Sequence, residues 1–127
     1  MSNPTIYVDH REHTLLIREL EKLGLSYTLK TLDVGDILIQ TLVNGEENTV
    51  CIERKTQQDF LNSFFDRRIF HQLLMMKQQY QFPLLIIEGE ENLYMLRDVH
   101  PNSIRGMFTS LALDFQIPLI YSRNYRD

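Results

Sequence analysis

The triplet Glu53-Arg54-Lys55 ends an apolar run, Val50-Cys51-Ile52, where a core strand should still be apolar. Charges beside a core persist only where they reach solvent, pair with one another, or hold a metal ion or an anionic ligand. Upstream, Asp36 precedes a second apolar run, Ile37 to Val43, and Asn44-Gly45-Glu46-Glu47-Asn48 joins the two runs with a hairpin signature. With Asn44-Gly45 as a two-residue type I′ turn, Asp36 lies directly opposite Glu53, their Cβ atoms about 5 Å apart. Period-two alternation puts Lys55 on that same face and Arg54 on the other. A four-residue turn slides the pairing, sets Asp36 opposite Lys55 and leaves the cluster on a diagonal. Two carboxylates this close repel unless one is protonated or a cation lies between them, and oxygen ligands at such spacing suit Mg2+ or Mn2+. An acid–lysine surface pair at the end of a hairpin is the bland alternative.

Neighbouring residues weigh against that alternative. Asp9 ends the first apolar run and is followed by Arg11 and Glu12, so a third carboxylate reaches the same sheet end if that strand lies beside the hairpin. Glu12 also suits the positive N-terminal end of a helix, and Arg11 suits a surface pair. Asp59 follows Thr56 by three and reads equally as a capping box or a site acid. Arg68 and Gln72 are four apart on one helix face, placed to contact a ligand or to be solvated, with Arg67 beside them.

These residues must be held by alternating elements. Thr5 to Asp9 reads as a strand, and Glu12 to Leu23 as a helix with Leu16, Leu20 and Leu23 in phase and Gly24 as its stop. Leu25 to Leu32, Asp36 to Val43 and Thr49 to Arg54 read as three strands in a meander. Thr56 to Phe65 is helical and Asp66 a cap. A longer helix to Tyr80 then carries Ile69, Phe70, Leu73 and Leu74 on one face, with Met75-Met76 as core filling. Pro83 to Glu88 is a doubly buried strand. Pro101 opens the last helix, and Ile117 to Tyr121 is the last strand. The expected architecture is α/β: a central mixed sheet flanked by helices in three layers.

In that last helix Ile104, Met107, Phe108, Leu111, Leu113 and Phe115 cover more than the arc one sheet face can bury, and Gly106, Ser110 and Ala112 permit close approach. A surplus apolar face marks an interface, here Ile104, Met107, Phe108, Leu111 and Phe115.

Composition sets outer bounds. The chain has 127 residues, 43% hydrophobic and 24% charged, which fits one domain with a real core and excludes disorder. The single cysteine, Cys51, excludes an intramolecular disulfide and fits a reducing compartment. No zinc pattern exists, and His10, His13, His71 and His100 share no metal spacing, so all four read as structural. Neither a signal peptide nor a membrane span is present in the pattern. The net charge of −4 argues against binding nucleic acid by bulk electrostatics, yet Arg54, Lys55, Arg67 and Arg68 form a local basic patch.

Asp9-His10-Arg11-Glu12, Gly35-Asp36 and Glu53-Arg54-Lys55 through Asp59 together resemble the motif set of the XPF/Hef structure-specific endonucleases, whose core is a restriction-endonuclease-like, PD-(D/E)xK fold. The likeness continues in Ser63, Asp66, Arg68 and Gln72 and in Arg97 to Gly106, where it is most similar to archaeal members. One departure is Arg67, where many relatives have glycine.

The resemblance implies divalent-metal-dependent hydrolysis of DNA phosphodiesters near branch points, such as flaps and forks, in DNA repair or stalled-fork processing. It implies Mg2+ or Mn2+ held by Asp36 and Glu53 with help from Asp9. The implied catalytic set is Asp9, Glu12, Asp36, Glu53, Arg54, Lys55 and Asp59, and the implied DNA contacts are Arg11, Arg67, Arg68 and Gln72. It also implies a single nuclease domain over residues 1–127 cut from a longer protein with helix-hairpin-helix repeats, a homodimer, and a sliding clamp that binds regions outside this chain. The expected location is intracellular, the cytoplasm and nucleoid of an archaeon or the nucleus of a eukaryote. The alternative, a non-catalytic DNA-binding or dimerisation scaffold, predicts eroded acids, and here the acids are intact.

Overall fold

A computed structural model describes residues 4–12 and 14–127; His13 lies outside the described residues. The elements are β1 (Thr5–Asp9), α1 (Thr14–Lys22), β2 (Thr28–Lys30), β3 (Ile37–Val43), β4 (Glu46–Thr56), α2 (Gln57–Phe65), α3 (Arg68–Gln79), β5 (Phe82–Glu88), α4 (Pro101–Leu113) and β6 (Leu119–Ser122), with a 3-10 turn at Leu93–Met95. The sheet has six strands in the order β2-β1-β3-β4-β5-β6. β1 pairs parallel with β2 and antiparallel with β3, the β3–β4 pair is antiparallel, and β4, β5 and β6 run parallel.

One expectation fails at β2. It does not join β3 in a meander: α1 carries the chain over the sheet and returns it parallel to β1, the usual outcome of a strand–helix–strand crossover. The crossover leaves β2 on the sheet edge and frees the other side of β1 for β3, which brings Asp9 beside the hairpin. Leu23, Gly24 and Leu25 end α1 as a Schellman motif. Gly24 takes φ 73°, its N–H donates to Glu21 O at 3.0 Å, and Leu25 N–H donates to Leu20 O at 3.1 Å.

The hairpin takes the tighter of its two possible turns. Asn44 and Gly45 have φ of 54° and 80°, as a type I′ turn requires, and Val43 faces Glu46 at one end of the ladder while Ile37 faces Ile52 at the other.

Strand parity divides the core into two faces, giving three layers. Leu38, Cys51, Leu85 and Ile87 pack under α2, α3 and α4 with Phe60, Leu61, Ile69, Leu73, Met76 and Ile104. Ile6, Val8, Ile37 and Ile52 pack under α1 around Leu16. Leu74, placed on the inner face of α3 by spacing, is instead exposed.

The α4 assignment also changes. Ile104, Met107 and Leu111 are 0%, 2% and 2% exposed within this chain's own core, so they have no surface to give a partner. Phe108 stacks on Phe60 at 5.9 Å and Phe115 on Phe70 at 5.3 Å. Helices α2 and α3, together with the sheet face, bury the wide apolar arc. The large apolar side chains left exposed nearby are Leu113 on α4 and Ile120 and Tyr121 on edge strand β6.

Candidate active site

β1, β3 and β4 deliver carboxylates to one end of the sheet. Asp9 closes β1 and is buried, Asp36 stands one residue before β3, and Glu53 lies three residues before the end of β4. Gly35 makes the approach to Asp36 possible. Its φ is 83°, and a Cβ there would meet Cys51 Sγ at 2.4 Å. The chain therefore passes close over β4, and Asp36 N–H donates to Ile52 O at 2.7 Å. The Asp36 carboxylate in turn accepts from Arg54 N–H at 2.7 Å, which pins it to the backbone between Glu53 and Lys55.

Lys55 Nζ lies 3.6 Å from Glu53 Oε1, so the two share a face, as alternation requires. Burial pushes Asp36 above the ordinary carboxyl value, opposed by the Arg54 N–H. Burial also pushes Glu53 up to about 7, reinforced by the charge of Asp36 and opposed by Lys55. Burial raises the Cys51 thiol to about 12, with the charges of Glu53 and Asp36 adding to it, so this thiol stays protonated and inert.

Asp9 is held differently. Its Oδ1 accepts from Arg11 N at 3.0 Å and Nε at 3.1 Å, and its Oδ2 from Arg11 Nη2 at 2.7 Å. That fork lowers Asp9 to about 2, against the opposing effect of burial. His10 Nδ1 lies 3.3 Å from Asp9 Oδ1. Among the described residues no group of three or more His, Cys, Asp and Glu side chains is arranged to hold a metal ion. The oxygen pair not already committed to a cation's fork is therefore Asp36 and Glu53.

On the opposite face of β4, Arg54 bridges two acids. Its Nη1 donates to Glu12 Oε1 and its Nη2 to Glu88 Oε2, each at 2.5 Å. The three side chains are 14%, 8% and 19% exposed respectively. Glu12 therefore enters the site as a partner of Arg54.

Glu88 escaped sequence reasoning, although a signal existed. It ends β5 in phase with Leu84 and Ile86, and β5 runs parallel to β4 with Glu88 beside Thr56, so its side chain shares the Arg54 face. Five carboxylates (Asp9, Glu12, Asp36, Glu53, Glu88) meet three cations (Arg11, Arg54, Lys55) in these contacts, so acids outnumber cations on each face of β4 by one.

The Glu12–Arg54 pair lines two adjoining clefts. One, of about 370 Å³, holds Asp9, Arg11, Asp36, Glu53 and Gln72. The other, of about 440 Å³, holds Lys55, Asp59, Glu88 and Tyr125. In the first cleft Gln72 Oε1 is a buried acceptor with no donor among the described residues. A buried acceptor, two carboxylates held above their ordinary range and an acidic surplus all fit an oxygen-ligated divalent cation.

The other expected site residues are more peripheral. Thr56 Oγ1 accepts from Asp59 N at 3.2 Å, so the capping role exists, while the exposed Asp59 carboxylate faces the second cleft. Arg68 pairs with Asp66 at 2.7 Å on the surface. Arg67 is exposed and sits at φ 66°, a left-handed position that favours glycine. His100 caps α4, its Nδ1 accepting from Asn102 N at 3.1 Å.

A six-stranded mixed sheet between helices, with acids and a lysine at one end, defines a restriction-endonuclease-like nuclease domain. The ERCC4 domain profile matches residues 8–127, and the chain belongs to that family of XPF/Hef-type nucleases. It is 39% identical, over 94% of its length, to a protein of Methanocaldococcus jannaschii that bears an ATP-dependent RNA helicase name, and it spans 14% of that protein. It is 33% identical over 96% of its length to the 3'-flap repair endonuclease Xpf of Saccharolobus solfataricus, and spans 50% of it. A solved structure of XPF from Aeropyrum pernix in complex with DNA superimposes with a TM-score of 0.78 at 30% identity, covering 98% of this chain and 58% of that one. The chain thus spans half or less of these two curated relatives. The family is in general divalent-metal dependent. No helix among the described residues is long and apolar enough to cross a membrane.

Proposed function

We propose that this chain is the nuclease domain of a structure-specific DNA endonuclease that hydrolyses phosphodiester bonds near branch points, in repair or in processing of stalled forks. The observation that carries the reading is the carboxylates of half-buried Asp36 and buried Glu53, lining one cleft at the sheet end with Lys55 beside Glu53.

Asp36 and Glu53 would hold Mg2+ or Mn2+, and Asp9 would join them on releasing Arg11. A divalent cation bound there supplies Lewis-acid activation of phosphate and water. Lys55 presents its ammonium beside Glu53, where it stabilises charge developing on the phosphate. Arg11, Arg67, Arg68 and Gln72 steer the DNA backbone toward the clefts. The acid set, complete at every position, favours an active enzyme over a scaffold.

The working form is a homodimer whose contact is the outer side of α4 and edge strand β6, where Leu113, Ile120 and Tyr121 are exposed beside an apolar cleft of about 480 Å³. A sliding clamp would engage segments beyond this chain, and the setting is the chromosome inside the cell.

The test is cleavage of labelled flap, fork and plain duplex DNA with Mg2+, with Mn2+ and with chelator. Metal-dependent nicking near the junction, lost in Asp36→Asn with the fold retained, supports the reading. Cleavage indifferent to metal, or undiminished in Asp36→Asn, refutes it.

A further inference from the structure

Arg54 stands in the triplet that carries the chemistry, and a phosphate contact is the natural first guess for it. Its surroundings argue otherwise. Both outer nitrogens are committed to carboxylates, the side chain is 14% exposed, and the triad it forms with Glu12 and Glu88 carries a net negative charge. A phosphate approaching that triad meets a guanidinium whose two outer nitrogens are already taken by carboxylates.

The same side chain ties three elements together. Glu12 lies in the turn after β1, where its N–H donates to Asp9 O at 2.9 Å, and Glu88 ends β5. The backbone of Arg54 meanwhile donates to Asp36, and its chain neighbours are Glu53 and Lys55. A shift of Arg54 therefore moves Asp36, Glu53 and Lys55 together.

We infer that Glu88 is a positioning residue for the proposed cleavage, acting with Glu12 through the Arg54 guanidinium to hold the stretch of β4 that bears Glu53 and Lys55. The inference rests on the nuclease reading above and extends it to a residue outside the motif set. Glu88 acts on the Asp36–Glu53 pair at a distance: it lines the cleft that holds Lys55 and Asp59, whereas Asp36 and Glu53 line the adjoining one, and Arg54 lines both.

Its loss leaves Arg54 paired with Glu12, so the fold persists while the guanidinium loses one of its two anchors. Misplacement of reacting groups by about 1 Å lowers a rate by about 100-fold without touching substrate affinity.

The experiment compares wild type, Glu88→Gln, Glu88→Asp, Arg54→Gln and the Glu88→Gln/Arg54→Gln double variant on one flap substrate at saturating Mn2+. Expected for Glu88→Gln is a kcat about 10- to 100-fold lower with KM, and the metal-free Kd for the same DNA, within about twofold of wild type. The double variant matches Arg54→Gln, because Glu88 has nothing left to act through, and Glu88→Asp recovers part of the rate. In the metal-free protein the amide resonance of Arg54, which reports its bond to Asp36, shifts in Glu88→Gln.

Wild-type kcat in Glu88→Gln, or losses that simply add in the double variant, overturns the inference. A wild-type chain that cleaves nothing overturns the nuclease reading and takes this inference with it, an outcome distinct from the other two.

Discussion

Replacing Glu53 by glutamine should stabilise the metal-free protein, and the gain should depend on pH in a defined direction. The buried carboxyl is held at about 7 against an ordinary value of 4.5. Holding a proton over that interval corresponds to about 3 kcal/mol. The folded state binds the proton more tightly than the unfolded chain, so the contribution is fully present below about pH 4.5 and is lost as pH rises through about 7. Glutamine keeps the shape and carries no charge, so the wild-type-minus-mutant difference reads the Glu53 titration together with its coupling to Asp36.

Urea unfolding followed by circular dichroism, in chelator, at pH 5, 6, 7 and 8 reads the effect. The two proteins should diverge with rising pH until Glu53→Gln is more stable by ~3 kcal/mol, on the order of 10 °C in Tm. Added Mn2+ should close the gap by stabilising wild type alone. Parallel stability curves from pH 5 to 8 would refute the account of two carboxylates forced together by burial.

Three further outcomes test other parts of the structure. Arg67→Gly relieves a left-handed backbone and should stabilise by about 0.5–1 kcal/mol while weakening DNA binding, whereas Arg67→Ala with Arg68→Ala should flatten the slope of log K against log salt by about one to two. An unchanged slope would make both arginines bystanders. Gly35→Ala places a methyl against Cys51 Sγ and should cost about 1–3 kcal/mol, part of it restored by adding Cys51→Ala; no restoration would remove the steric cause. Sedimentation equilibrium should give a dimer that Leu113→Glu or Ile120→Glu splits without lowering Tm, and a mass near 15.1 kDa at every concentration would exclude the dimer.

Local rules made much of the site readable before any coordinates. The Asn-Gly turn and period-two alternation were enough to set the β3–β4 register from Val43–Glu46 to Ile37–Ile52 and to put Glu53 and Lys55 on one face and Arg54 on the other, whereas Asp36 lies one residue beyond that ladder, its N–H turned to Ile52 O. Long-range choices were less readable. The place of β2 depends on which side of β1 the α1 crossover returns, which no residue in Leu25 to Leu32 specifies. The α4 stripe looked too wide for one neighbour because its second and third neighbours, α2 and α3, come from elsewhere in the chain. Glu88 looked like a strand end because its partner is 34 residues away.

β4 works on two sides at once. Cys51, Glu53 and Lys55 face the α2–α4 layer, and Ile52 and Arg54 face α1, so the strand behaves like text that makes sense in only one reading frame. Losing a single residue between Cys51 and Lys55 would send Glu53 toward Glu12 and Glu88 and turn Arg54 in toward Asp36, swapping attraction for repulsion on both faces. Point substitutions in this stretch leave most partnerships standing, but no one-residue deletion there can be conservative. Length variation within the family is therefore expected at the exposed hairpin tip or in the β5–α4 connection, and nowhere along the Glu53-Arg54-Lys55 segment.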